Sequence, residues 1–309
     1  MGERYVEVSV TATLETTEAF ADFLFAEGAL GLVIEDPLNN SPEILIRASF
    51  QGSLPIDPLL KRLTVYQRAL AALDLPGAAG EIEIREIPAT DWAQSWKEHF
   101  KPLAVGKRLM IAPPWEAGPF PENRLLVRID PAMSFGTGHH ATTRMCLEAL
   151  EAFMEEWAGT RGPVVVDVGT GTGILAIAAA VLGADRVVAI DADPEACGAA
   201  TSNLSLNNTA ERIRISHGGV EALGPDVRFD LVLANLDSKG LCPLYGRLVA
   251  FLPPQGRLVA SGILVEEEAT VAAAARAAGL RVTARQSDGE WLCLTMVFSS
   301  GLDTPKGGG

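Results

Sequence analysis

Four short segments of this 309-residue chain carry groups able to do chemistry. "DPAMSFGTGHHATTR" (Asp130–Arg144) holds a glycine-rich turn and the adjacent His139 and His140. "VVVDVGTGTGILAIAAA" (164–180) is an apolar run, a turn containing Gly169, Gly171 and Gly173, and a helix start. "RVVAIDADP" places Asp191 at the end of the next apolar run, and "FDLVLAN" ends in Asn235. Closely spaced glycines let the backbone turn sharply and approach a ligand with no Cβ in the way. The GxGxG spacing puts Ile174 where a dinucleotide fingerprint, GxGxxG, requires glycine, and no GxxxxGK[ST] run exists for a P-loop. A carboxylate at Asp191 can accept hydrogen bonds from both hydroxyls of a ribose. Asp193, followed by Pro194, suits a helix N-cap instead. Asn235 offers a donor and an acceptor together, which suits a nitrogen nucleophile.

Other chemistries fit less well. Adjacent histidines on a loop cannot easily chelate one ion, and no cysteine or carboxylate cluster accompanies them, so no metal is expected. Cys146, Cys197, Cys242 and Cys293 are scattered without CxxC spacing, as free thiols in a reducing cytoplasm are.

The elements that must position these residues follow from periodicity. From about Leu125, short apolar runs alternate with helical stretches: "LLVRID", "VVVDVG", "RVVAIDAD", "RIRIS", "FDLVLAN" and "GRLVASGI" read as buried parallel strands. The helical stretches include "GILAIAAAVLGA", "DPEACGAATSNLSLNN" and "LVEEEATVAAAARAAG". That alternation implies a doubly wound sheet, whose ligands bind at the carboxyl ends of the strands. "RVTARQ" and "EWLCLTMVFS", joined by "SDG", predict an antiparallel hairpin at the sheet edge. The first 90 residues instead read β-α-β-β-α-β, with the first helix stopping at Gly28, which is a ferredoxin-like order. Between the two regions, "DWAQSWKEHF" reads as a short helix leading into a Pro- and Gly-rich connector.

The net charge of −14 argues against direct nucleic-acid binding. It is uneven: residues 1–90 hold 14 acidic and 6 basic side chains, a surplus suited to docking on a basic protein. No apolar run approaches the roughly 20 residues of a membrane span. No signal peptide is read either, so a soluble cytoplasmic protein is expected.

The set "DVGTGTG", "AIDADP" and "FDLVLAN" resembles the Class I fold of S-adenosylmethionine-dependent methyltransferases. "DPAMSFGTGHHATTR", "DWAQSWKEHFKPLAVGKRLMIAPPWE", "SGIL" and "GEWLCLTMVF" narrow this to a resemblance to the PrmA-type methyltransferases of ribosomal protein L-eleven, over nearly the whole chain. The front region, residues 1–88, is expected to be a ferredoxin-like substrate-recognition domain, in keeping with the small α+β domain of that family, and residues 89–123 a connector. The resemblance further implies an S-adenosylmethionine-binding domain over 124–299; the tail over 300–309 has nothing to bury and is expected to be disordered. The resemblance assigns cofactor contacts to Thr143, Gly169, Asp191 and Asn235. Gly171, Gly173 and Asp167 of the same turn, and Phe135 covering an apolar part of the cofactor, complete the set. Asn235 also orients the acceptor amine. The implied reaction is methylation of lysine ε-amino and N-terminal α-amino groups of that basic ribosomal protein. Alternatives are a different protein lysine or a small-molecule amine, a dinucleotide oxidoreductase, or a non-catalytic binder. One departure stands out: after Asn235 the chain reads "NLDSKGLCPL", which would place Asp237, Ser238 and Lys239 near the acceptor. The loop Ser134–His140 is expected to act as a lid over the cofactor.

Overall fold

The computed structural model describes residues 4–35, 43–72, 80–88, 100–131, 138, 140–224 and 226–299. The helix expected over "DWAQSWKEHF", Phe135, His139 and the tail all lie outside these residues, except for Phe100. The chain divides into two compact units, Met1–His99 and Phe100–Gly309. None of the described helices is long and apolar enough to cross a membrane.

In the first unit, strands β1 (Arg4–Ala12), β2 (Gly31–Glu35), β3 (Ile44–Gln51) and β4 (Ile82–Pro88) form one antiparallel sheet ordered β2-β3-β1-β4. Helices α1 (Leu14–Ala26) and α2 (Ile56–Ala71) complete the ferredoxin-like order. Period-two alternation buries Val6, Val8 and Val10 of β1 with Phe20 and Leu24 of α1 and Leu59 and Leu63 of α2. Past the end of α1, Gly28 takes φ +91°, a left-handed conformation that glycine adopts without a Cβ penalty.

The second unit carries a seven-stranded sheet. Its strands are β8 (Val164–Val168), β9 (Arg186–Asp191), β10 (Ile213–His217), β11 (Leu231–Asn235), β12 (Arg257–Leu264), β13 (Leu280–Asp288) and β14 (Trp291–Phe298). They are ordered β10-β9-β8-β11-β12-β14-β13. The first five are parallel, and β14 runs antiparallel between β12 and β13, so the expected hairpin closes that side. The continuous apolar runs have a direct cause: successive residues of one strand serve different cores. Val165, Leu231 and Leu233 enter one cluster, while Val164, Val166, Val232 and Ala234 enter the other. Full burial of each such valine or leucine side chain contributes about 1.5–3 kcal/mol. Helices α3 (Ala141–Glu156), α4 (Ile174–Leu182), α5 (Pro194–Asn207), α6 (Ser238–Ala250) and α7 (Glu268–Ala277) cover the faces.

Two features correct the sequence expectation. Leu125–Arg128 is a strand, β7, but it joins β5 (Leu103–Val105) and β6 (Leu109–Ala112) in a separate three-stranded sheet instead of the large one. An apolar run reads the same whichever sheet receives it. The buried Glu151 of α3 takes the backbone N–H of Lys107 with both carboxylate oxygens, 3.1 and 3.0 Å, and so fastens the β5–β6 turn. The other feature is α6, which contains Pro243 and was not singled out from periodicity.

Candidate functional site

The sheet reverses its winding between β8 and β11, and the candidate residues meet at the carboxyl ends of these strands and of β9. After β8 the chain makes a turn in which Gly169, Gly171 and Gly173 take φ values of +72°, +53° and +81°. Side chains are strained in that region, so the glycine pattern is a backbone requirement. The turn is tied to β9, because Gly169 N–H and Thr170 N–H both donate to Ile190 O at 2.9 and 3.0 Å.

Asp191 ends β9 with a half-buried carboxylate held by backbone on both sides. One oxygen accepts from Gly171 N–H at 2.9 Å and the other from Asp193 N–H at 3.0 Å. Asp193 is the N-cap of α5, accepting from Glu195 N–H at 2.8 Å ahead of Pro194. Two acids two residues apart are thus divided between the crevice and the helix.

Asp167 is fully buried beneath the turn. Its Oδ2 accepts from Thr170 Oγ1 at 2.6 Å and from Ala176 N–H at 3.2 Å, so it caps the first turn of α4 from the neighbouring strand. Its Oδ1 has no hydrogen-bond partner. Burial raises its pKa to about 6, opposed by the Thr170 and Ala176 hydrogen bonds and assisted by the nearby Asp191 charge.

Asn235 ends β11, and its Nδ2 donates to Thr143 Oγ1 at 3.3 Å, across 92 residues of sequence. Thr143 lies in the first turn of α3 and is 1% exposed. Gly138, two residues before His140, packs near the start of α4. A Cβ on Gly138, at φ +87°, would lie 3.1 Å from Ile174 Cδ1 at the start of α4. His140 precedes α3; its ring bonds Thr142 Oγ1 at 2.8 Å and meets Trp291 edge-on at 5.0 Å. Burial, then the Arg144 charge, lowers its pKa.

Within "NLDSKG", Asp237 caps α6 through Gly240 N–H at 2.8 Å, and Lys239 is exposed. Ser238 is buried and donates to Glu267 Oε1 at 2.6 Å. Glu267, Leu236, Gly262 and Trp291 escaped the sequence reading, although "SGIL" and "GEWLC" marked the neighbourhoods of Gly262 and Trp291.

The glycine cradle, the Asp191 carboxylate held between two amides and the unpartnered buried Oδ1 of Asp167 suit a nucleoside ligand with a cationic portion. Residues 4–299 match the family model described as ribosomal protein L11 methyltransferase (PrmA). The ribosomal protein L11 methyltransferase of Geobacter sp. (strain M21) is 38% identical over 305 residues, covering 94% of this chain and 97% of that protein. That of Pelotomaculum thermopropionicum is 37% identical, with the same coverages. A crystal structure of ribosomal protein L11 methylase from Lactobacillus delbrueckii subsp. bulgaricus aligns with a TM-score of 0.58. Its sequence identity is 30%, over 64% of this chain and 99% of that one.

Proposed function

The chain belongs to the ribosomal protein L11 methyltransferase (PrmA) family, and we propose that it methylates lysine ε-amino groups and the N-terminal α-amino group of this ribosomal protein. The observation that carries this is the meeting of Thr143 and Asn235 beside a glycine turn and Asp191 at one sheet edge. S-adenosylmethionine, when bound, supplies an electrophilic methyl group carried on a sulfonium. Asp191 is suited to its ribose, the glycine turn to close backbone approach, and Asp167 and Thr143 to its polar end.

The chain's own task is to present a neutral amine. A lysine with pKa near 10.4 costs about 4 kcal/mol to deprotonate at pH 7.4. Transfer into a dehydrated crevice lowers that cost, because burial disfavours the ammonium. Asn235 commits its amide nitrogen to Thr143, which keeps the carbonyl oxygen as the acceptor for a substrate N–H. A fixed acceptor aligns the nitrogen lone pair for in-line attack, and positioning of this kind supplies most of the catalysis.

Residues 1–88 are assigned to acceptor recognition, because the acidic surplus lies there and every cofactor-type motif lies beyond Asp130. The direct test incubates the purified chain with S-adenosylmethionine and ribosomal protein L11, then maps added methyl groups by mass spectrometry. Methyl groups on lysine and α-amino nitrogens are expected, and an unmodified acceptor overturns the assignment. A chain starting at Phe100 should keep cofactor affinity and lose methylation of the intact protein. Full efficiency there would move recognition out of the first unit.

A further inference from the structure

The segment Asn235–Ser238 is fastened at three points. The Asn235 side chain reaches Thr143. The Leu236 N–H donates to Ser261 O at 3.0 Å, and its backbone crosses directly over Gly262, at φ +82°. A Cβ on Gly262 would lie 2.6 Å from Leu236 O and 2.8 Å from its carbonyl carbon, so only glycine admits this crossing. The Leu236 side chain then covers the glycine turn, with Cδ2 2.5 Å from where a Cβ on Gly169 would lie.

The third fastening uses two side chains. Ser238, 9% exposed at the first position of α6, donates to Glu267 Oε1 at 2.6 Å. The second carboxylate oxygen accepts from Leu264 N–H at 3.3 Å. Glu267 closes the single turn Val265–Glu267 that follows β12. One carboxylate therefore joins the start of α6 to the exit of β12, through an O–H···O⁻ bond in the short, charge-assisted range. The negative charge also sits close enough to Cys242 of α6 to help burial push that thiol's pKa up. Neither Ser238 nor Glu267 bonds the glycine turn or Asp191.

We propose that Ser238 and Glu267 are positioning residues for the acceptor half of the site. They latch Asn235–Ser238 so that the Asn235 carbonyl meets the incoming amine at a fixed place. The proposal rests on the methyl-transfer function above. Without the latch, the peptide between β11 and α6 keeps its backbone bond to Ser261 but loses its downstream anchor. A displacement near 1 Å at a reacting group costs on the order of a hundredfold in rate.

The test uses the full chain with Ser238→Ala, Ser238→Thr, Glu267→Ala and Glu267→Gln. Three quantities are measured: calorimetric affinity for S-adenosylmethionine, kcat and KM with ribosomal protein L11, and hydrogen exchange over 235–241 with cofactor alone. Ser238→Ala and Glu267→Ala should leave cofactor affinity near the parent's while kcat/KM falls roughly 10- to 100-fold. Exchange at Gly240 and Leu241 should accelerate. Ser238→Thr restores the hydroxyl and most of the rate, and the isosteric Glu267→Gln falls between. Unchanged kcat/KM, unchanged exchange, or Ser238→Thr as poor as Ser238→Ala would overturn the latch. Parallel loss of cofactor affinity and thermal stability would do the same, by reducing the pair to general support. If the parent itself leaves the ribosomal protein unmethylated, the functional assignment fails, and the exchange measurement still decides the latch.

Discussion

On the β8–β9 side of the crevice, most fixed groups are held by backbone. Gly169 and Thr170 bond β9, Asp191 is gripped by two amides, and Asp167 caps α4. On the β11–β12 side two of the fixed groups are held by other side chains: Asn235 by Thr143 and Ser238 by Glu267. A backbone-built half demands glycine and a few acids at set spacings and tolerates little else. A side-chain-built half can be retuned one residue at a time. Such an arrangement suits a protein whose cofactor is constant while its acceptor surface adapts.

The largest expected effect breaks the backbone-built half through its buried acid. Asp167 has a folded pKa of about 6 against 3.8 for the free group. At about 1.36 kcal/mol per pH unit, that gap corresponds to about 3 kcal/mol. The sign follows from proton binding. Between these values the folded chain holds a proton that the unfolded chain releases, so stability falls as pH rises from about 4 to 6 and stays reduced above. Asp167→Asn should lack this decline. Denaturant unfolding of the cofactor-free chain from pH 4 to 8 should therefore show the variant gaining on the parent as pH rises. A constant difference across that range would mean that Asp167 is not protonated in the fold near pH 5.

Next in size is Asp191→Ala. Hydrogen bonds to a charged group contribute about 1.5–3 kcal/mol, so if Asp191 holds the ribose as proposed, its loss should cost about 2–3 kcal/mol, or about 30- to 150-fold in cofactor affinity. Calorimetry on the folded variant checks this, and an unchanged Kd removes Asp191 from the cofactor's partners.

How far each half could be read from sequence follows the same division. The glycine turn was legible because its constraint is local: positive φ at Gly169, Gly171 and Gly173 selects the residue type directly. Asp191 and Asp193 could be separated because Pro194 marks a helix start. The ferredoxin-like order and the large sheet followed from strict alternation and from short apolar runs set between helical stretches. Helix α6 was missed because Gly240, Pro243 and Gly246 interrupt its pattern, and only tertiary packing of Leu241, Tyr245 and Leu248 secures it. Strands β5 and β6 hid in a Pro- and Gly-rich stretch. The contacts of Leu236 with Gly262 and of Ser238 with Glu267 join residues 26 and 29 positions apart, and no spacing rule anticipates them. Phe135 and most of the expected lid lie outside the described residues.

The side-chain-built half is sharpened by Thr143→Val, which removes one hydroxyl at nearly constant volume. Asn235 then loses the acceptor for its Nδ2 and is free to rotate its amide. A net loss of about 1–1.5 kcal/mol is expected, appearing as an approximately tenfold lower kcat with a smaller change in cofactor affinity. Thr143→Ser retains the hydroxyl and should stay near the parent. Equal kcat for Val and Ser variants would show that the Asn235–Thr143 bond does not orient the acceptor.

The smallest effect is the most discriminating. Asp193 stands two residues from Asp191, and its N–H is one of the two amides that hold the Asp191 carboxylate. Its own side chain faces α5 as the N-cap. Asp193→Ala removes the cap but keeps the backbone N–H, so the grip on Asp191 survives. The variant should lose about 1 kcal/mol of stability, typical of an N-cap aspartate replaced by alanine. Cofactor affinity should stay close to the parent's. Thermal unfolding and calorimetry on the same sample separate the two quantities. A large fall in affinity from Asp193→Ala, matching that of Asp191→Ala, would mean that the strand end acts through its overall negative charge. The backbone-held carboxylate of Asp191 would then lose its special place, and the contrast between the two halves of the crevice with it.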